Sequence, residues 1–174
     1  MSKINKCVFL DRDGVLNEDR IDYSYDLSHF RILPGVPESL RRLKEAGFLL
    51  IVVTNQSGIA QGLYTQQQMQ QCHDYLQQVC ANTIDHFYFC PYHPSVTESL
   101  ARKPGTLMFE KAIAKYGIEP GRSWMIGDKE GDIIPAKSLG IRTIRVGIYL
   151  EKESGGDQCA KDLHEALQII FREF

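Results

Sequence analysis

The 174-residue chain is predicted to form a doubly wound α/β domain, three layers deep, around a mostly parallel sheet. Two observations predict it. Short continuous apolar runs alternate with segments of helical periodicity, and the strongest runs each end in a polar cluster. A strand buried on both faces loses the in–out alternation of a half-exposed strand, so such runs belong to a parallel sheet covered by helices.

Taken in order, the first run is Cys7-Val8-Phe9-Leu10, which delivers Asp11 and Asp13 before Gly14 breaks it. Val36, Leu40 and Leu43 then recur at helical spacing, with Gly47 as the stop. The second run, residues 48–53, ends in Thr54-Asn55-Gln56-Ser57-Gly58. Thr65 is the expected N-cap of a helix carrying Met69, Cys72, Leu76 and Val79, whose Gln-rich stretch 66–71 forms a solvated face. A strand is expected over residues 84–89 and a helix over 106–116, ended by Gly117. Trp124-Met125-Ile126 is the third strong run and ends in Gly127-Asp128-Lys129. A helix starting near Gly131 would hold Pro135 in its first turn. A strand over 142–146, a loop over 151–158 and a helix over 160–171 complete the chain.

Length and composition bound the function. A chain of 174 residues suits one domain, residues 1–174, that buries roughly 70% of its unfolded surface. The net charge of −2 argues against a nucleic-acid partner. No run approaches the roughly 20 apolar residues a bilayer span requires, and the N-terminus lacks a signal-peptide pattern. A cytoplasmic monomer without a membrane partner is expected. Five cysteines, Cys7, Cys72, Cys80, Cys90 and Cys159, are an odd number at largely apolar positions, which suggests reduced core thiols. His73 and His164 fall in amphipathic helices and read as structural or surface residues; His29 lies in a loop open to a ligand.

The chemistry concentrates at strand ends. In an open α/β sheet, ligands bind in the crevice outside the carboxyl ends of the strands, where Asp11 and Asp13 fall. A carboxylate near its reference pKa of about 3.9 is ionised at neutral pH, so Asp11 can serve as a nucleophile without a separate base. A phosphate monoester is itself anionic, and bringing it onto a carboxylate requires a divalent cation and fixed positive groups. Asp128, ending another strand, would join Asp11 in holding Mg²⁺, with Lys103 and Lys129 supplying charge. Asp13 would protonate the leaving alkoxide and then deprotonate the attacking water.

Asp11-Arg12-Asp13-Gly14-Val15, Thr54-Asn55, Lys103 and Gly127-Asp128, in this order, resemble the four motifs of the haloacid dehalogenase-like phosphatases over residues 7 to about 147. The resemblance implies a Rossmann-like sandwich and an aspartyl-phosphate on Asp11, with Asp13 as general acid and base. Thr54 and Asn55, continued by Gln56 and Ser57, would orient the phosphoryl group, and Lys103 would neutralise it. Asp11, the backbone carbonyl of Asp13 and Asp128 would bind Mg²⁺, with Asp132 behind them. The gaps between motifs leave no room for a separate cap domain, so loops 17–29, 57–64 and 90–102 would shape selectivity. A receiver-type phosphate-accepting domain is the rival of a different class, but it lacks a group placed like Asp13.

Within the family, residues 54–62, Cys90-Pro91-Tyr92-His93-Pro94, Arg102-Lys103-Pro104 and Gly127-Asp128-Lys129 are similar to the branch acting on heptose bisphosphates and histidinol phosphate. Ser57-Gly58, where the histidinol-phosphate enzymes have Asp and Gly, favours removal of the 7-phosphate of D-glycero-D-manno-heptose 1,7-bisphosphate, a small phosphorylated sugar. Arg102 is a candidate clamp for the distal phosphate, because guanidinium binds oxyanions bidentately. Gln61 stands where the heptose enzymes commonly carry a basic residue. Both relatives usually hold a structural zinc through Cys-x-His and Cys-x-Cys pairs; this chain keeps Cys90, has Tyr92 at the histidine position and His93 one residue late, and offers no second pair before Lys103. No structural zinc is expected.

Overall fold

The computed structural model describes residues 4–147 and 155–173. Six strands form one parallel sheet: β1 (Cys7–Leu10), β2 (Leu49–Asn55), β3 (His86–Cys90), β4 (Trp124–Gly127), β5 (Arg142–Val146) and β6 (Gln158–Ala160), in the order β3-β2-β1-β4-β5-β6. Every residue of β1 and β4 is buried, as continuous apolar runs require. Val8 and Leu10 face one layer, which also holds α1 (Val36–Glu45), α2 (Gln66–Val79) and α5 (Leu163–Arg172). Cys7 and Phe9 face the other, with α3 (Leu107–Tyr116) and α4 (Glu130–Ser138). Among the described residues no helix is long and apolar enough to cross a membrane. Cys7, Cys72, Cys80 and Cys90 are buried free thiols and Cys159 is a half-buried one.

The helices begin and end where their local chemistry predicts. Thr65 caps α2 by accepting from the Gln68 N–H, and the Gln68 side chain accepts from the Thr65 N–H in return. Asp162 caps α5 by accepting from the N–H of Glu165. Three expectations need correction. The final helix begins at Leu163 rather than 160, because residues 158–160 pair with β5 as the edge strand β6. The expected loop 151–158 thus ends in a strand, and its residues 151–154 lie outside the described residues. Pro135 is the sixth residue of α4, past the first turn, where its ring costs the helix one backbone hydrogen bond.

The sheet order reverses direction between β1 and β4. From β1 the chain moves outward to β2 and β3, and from β4 it moves the other way to β5 and β6. At such a switch point the connections leave in opposite directions and open a crevice at the carboxyl ends of the two central strands. Asp11 follows β1 and Asp128 follows β4.

Candidate active site

At that crevice, ligand oxygens of Asp11, Asp128 and Asp132 lie within 4.8 Å of one another. Lys103, on the loop before α3, runs into the cluster from the β2 side. Its Nζ donates to Asp11 Oδ1 at 2.8 Å, to Asp132 Oδ1 at 2.5 Å and to the Val53 carbonyl at 2.7 Å. Lys103, Asp11 and Asp132 are all buried. Burial disfavours the Lys103 ammonium, but the two carboxylates outweigh it and raise its pKa.

Asp11 does not keep the ordinary acidity expected of it. Burial first, and then the charge of Asp132, push its carboxyl up to about 8 against the pull of Lys103. Asp128 is also raised, chiefly by burial. Three carboxyl groups crowd around the buried Lys103, with Lys129 reaching Asp128 from the rim at 3.7 Å, and a divalent cation would favour their ionised forms. The fit has a second sign: Asp128 Oδ1 is buried without a hydrogen-bond partner among the described residues, an orphaned hard oxygen of the kind Mg²⁺ takes. Gly14 lets Asp128 come so close. A Cβ at Gly14 would sit 2.6 Å from Asp128 Oδ2, and its φ of +88° is one that L side chains rarely adopt.

Asp132, the residue expected to support the cation, has an oxygen within 4.8 Å of those of Asp11 and Asp128. It sits in the first turn of α4 and accepts from the Lys129 N–H through Oδ2 at 3.1 Å, so the start of one helix holds the carboxylate in place.

Asp13 lies beside the cluster, in a cage of donors. Arg12 Nη2 donates to Oδ1 at 2.9 Å and to Oδ2 at 3.1 Å, Asn17 Nδ2 to Oδ1 at 2.8 Å, and Gln56 Nε2 to Oδ2 at 3.0 Å. Arg12 is fully buried, its Nη2 also held by the Ser24 carbonyl at 2.8 Å. These partners were not anticipated. A strand-end residue between two aspartates points away from both in an extended chain, and only the tight turn that follows brings Arg12 back onto Asp13.

A cavity of ≈ 380 Å³ opens above the cluster, lined among others by Asp11, Asp13, Thr54, Ser57, Arg102 and Lys129. Asp19, Arg20, Ile21, Tyr23 and His93 close its sides, so all three of the loops expected to shape selectivity contribute. Arg102 Nη1 is steadied by Ser57 Oγ at 2.6 Å and the Tyr92 carbonyl at 3.2 Å. Lys129 stands at the rim, paired with Asp19 at 2.8 Å.

Two residues expected to touch a phosphoryl group also make side-chain bonds within the protein, and Asn55 lines the cavity as well. Asn55 uses its side-chain amide to clamp the main chain of Lys103, donating to its carbonyl at 3.1 Å and accepting from its N–H at 3.0 Å. Gln56 is buried behind Asp13, bonded to Asp13 and Thr54. In both cases the side chain bonds to another residue of the site. Cys90 is buried, while the neighbouring His93 hydrogen-bonds Ser95 through Nδ1 at 2.7 Å.

A model of the haloacid dehalogenase-like hydrolases matches residues 5–140. The D-glycero-beta-D-manno-heptose-1,7-bisphosphate 7-phosphatase of Haemophilus ducreyi is 39% identical over 179 residues, covering 95% of this chain and 98% of that protein. Its namesake in Escherichia coli K12 is 35% identical over 187 residues, covering 99% of this chain and 97% of that protein. Among solved structures, a D,D-heptose 1,7-bisphosphate phosphatase from B. bronchiseptica, complexed with magnesium and phosphate, superposes with a TM-score of 0.86 at 26% identity and covers 97% of this chain and 99% of that one.

Proposed function

The chain belongs to the haloacid dehalogenase-like hydrolases, and from that premise we propose a Mg²⁺-dependent phosphatase that removes the 7-phosphate of D-glycero-β-D-manno-heptose 1,7-bisphosphate through an aspartyl-phosphate. One observation carries the chemistry: a buried carboxylate at a strand end, Asp11, shares its ammonium partner Lys103 with Asp132 and faces an open cavity. Asp11, the backbone carbonyl of Asp13 and Asp128 would hold Mg²⁺, with Asp132 supporting them, and the ion when bound would supply the positive charge that keeps Asp11 ionised and attracts phosphoryl oxygens.

The residues then divide the work. An oxygen of Asp11 forms a bond to phosphorus as the bond to the sugar oxygen breaks, and Asp13 gives its proton to the departing alkoxide. Water next attacks the phosphorus of the aspartyl-phosphate, losing a proton to Asp13. The bond to Asp11 breaks, releasing inorganic phosphate and restoring both carboxyl groups. Lys103 fixes Asp11 through Oδ1 and neutralises charge on the transferring group. Thr54 and Ser57 line the cavity where that group would sit, and Arg102 would hold the phosphate that is not cleaved.

The test is phosphate release. Wild-type protein with Mg²⁺ should turn over many times, and Asp11→Asn should abolish release while the circular dichroism spectrum stays that of the folded protein. One stable phosphoryl group per chain without turnover would point to a receiver-type domain instead. A panel of both heptose 1,7-bisphosphate anomers and histidinol phosphate, ranked by kcat/KM, should put the β anomer first; preference for histidinol phosphate would refute the substrate and leave the chemistry standing.

We read residues 1–174 as one domain, acting as a cytoplasmic monomer, and we further propose that it carries no structural zinc. Cys90 lies inside the core and the His93 ring is turned to Ser95, which supports that reading. Elemental analysis returning one tightly held zinc per chain would overturn it.

A further inference from the structure

Gln56 sits between the two groups that would handle the phosphoryl group and its proton. Its Nε2 donates to Asp13 Oδ2 at 3.0 Å and to Thr54 Oγ1 at 2.9 Å; Asp13 and Thr54 line the cavity, and Gln56 is buried. A side-chain amide has two donors on one end and an acceptor on the other, and it rotates freely about its last bond unless both ends are held. The far end is held by Tyr64, whose hydroxyl donates to Gln56 Oε1 at 2.7 Å. The Asp13 oxygen accepts and so faces the Nε2 end, and the Tyr64 hydroxyl, donating to Oε1, holds the amide in that orientation. With Oε1 turned to Tyr64, both Nε2 hydrogens face the site. Asp13 then receives a donor, and Thr54 Oγ1, already accepting, keeps its own hydrogen for another acceptor.

Tyr64 is itself built into place. It is buried, and its ring stacks on Tyr25 with centroids 4.9 Å apart and planes 7° from parallel. Tyr23, which lines the cavity, leans on it at 5.7 Å. The other side of the ring lies so close to Gly58 that a Cβ there would overlap Tyr64 Cε1. A tyrosine wedged between two loops, with its one polar atom aimed at a catalytic network, is more than core filling.

We propose that Tyr64 is a positioning residue for the phosphatase reaction: acting through the Gln56 amide, it holds in place the donor that Gln56 presents to Asp13 and Thr54, and its ring contacts with Tyr23 and Tyr25 tie that donor to the cavity wall. This inference rests on the phosphatase reading above. Tyr64 is not among the residues that line the cavity. Its removal should therefore spare binding and slow the chemical step.

The experiment is a double-mutant cycle on the full chain with Mg²⁺ and a phosphorylated sugar that the wild type hydrolyses. Tyr64→Phe keeps the ring and its stacking and removes the hydroxyl alone. It should lower kcat roughly five- to twentyfold, the effect of one hydrogen bond of this kind, with KM changed less than about twofold. In the Gln56→Ala background the same substitution should cause no further loss. Gly58→Ala, which leaves the hydroxyl but pushes the ring aside, should reproduce the kcat loss. An unchanged kcat in Tyr64→Phe, a loss that appears only in KM, or equal losses in both backgrounds would each overturn the inference. These outcomes leave wild-type turnover and the Asp11→Asn result untouched, whereas a wild type without phosphatase activity would overturn the parent reading.

Discussion

Arg102 and His73 show how differently two polar residues can be used. Arg102 lies on the cavity wall with Ser57 and the Tyr92 carbonyl holding its guanidinium. If it clamps the uncleaved phosphate, Arg102→Ala should raise KM for the bisphosphate about tenfold or more, as loss of a charge-assisted bond does. Hydrolysis of a sugar monophosphate should change about twofold at most, and steady-state kinetics on the two substrates checks the difference. His73 is buried in α2 and stacked on Phe87 at 4.5 Å. Burial first, and then the nearby Arg12, drive its pKa down to about 3. The unfolded chain binds a proton to this imidazole at higher pH than the folded one does. Its stabilising contribution is therefore complete above the ordinary value of 6.5 and is lost as pH falls toward 3. Urea unfolding between pH 4 and 7 should show wild type losing up to about 1.4 kcal/mol per pH unit from this group, and His73→Leu should lack that part of the slope.

Among the elements, those with strong local signals were legible. The all-apolar strands and the Thr65 cap are properties of neighbouring residues, and the structure returns them as β1, β2, β4 and α2. Thr65→Ala removes one partner of the reciprocal cap and should cost about 1 kcal/mol, seen as a fall of roughly 2–4 °C in Tm. Its kcat should be unchanged, because the cap lies away from the carboxylate cluster. What local pattern could not show was β6, three residues of which Gln158 is exposed and Ala160 buried. So short an edge strand carries no readable period and exists because β5 offers it hydrogen bonds. Pro135 misled for the same reason: packing of the buried Ile133, Pro135 and Ala136 holds α4 together past a residue that local propensity would place nearer its start.

At the scale of the whole molecule, metal and fold should be coupled. The cluster joins β1, β4, α4 and the loop carrying Lys103, and a bound cation would relieve the repulsion among its carboxylates. Mg²⁺ at a hundredfold excess over its Kd should add about 2.7 kcal/mol of stability, raising Tm by calorimetry, and a chelator should reverse the gain. Asp128→Asn should lose most of it. The sequence by itself determined the layered α/β class and the residues that gather at the site, Asp11, Asp13, Thr54, Lys103 and Asp128, because strand burial and motif order are written along the chain. It also pointed to the branch of the family. The tertiary structure alone decided what each polar group faces. It set Asp132 beside Asp11 and Asp128, bonded the Asn55 and Gln56 side chains to Lys103 and Asp13, caged Asp13 with Arg12 and Asn17, and raised Asp11 by burial. Hydrogen-bond partners and desolvation depend on groups far apart in sequence that the closing of the sheet brings within a few ångströms of one another.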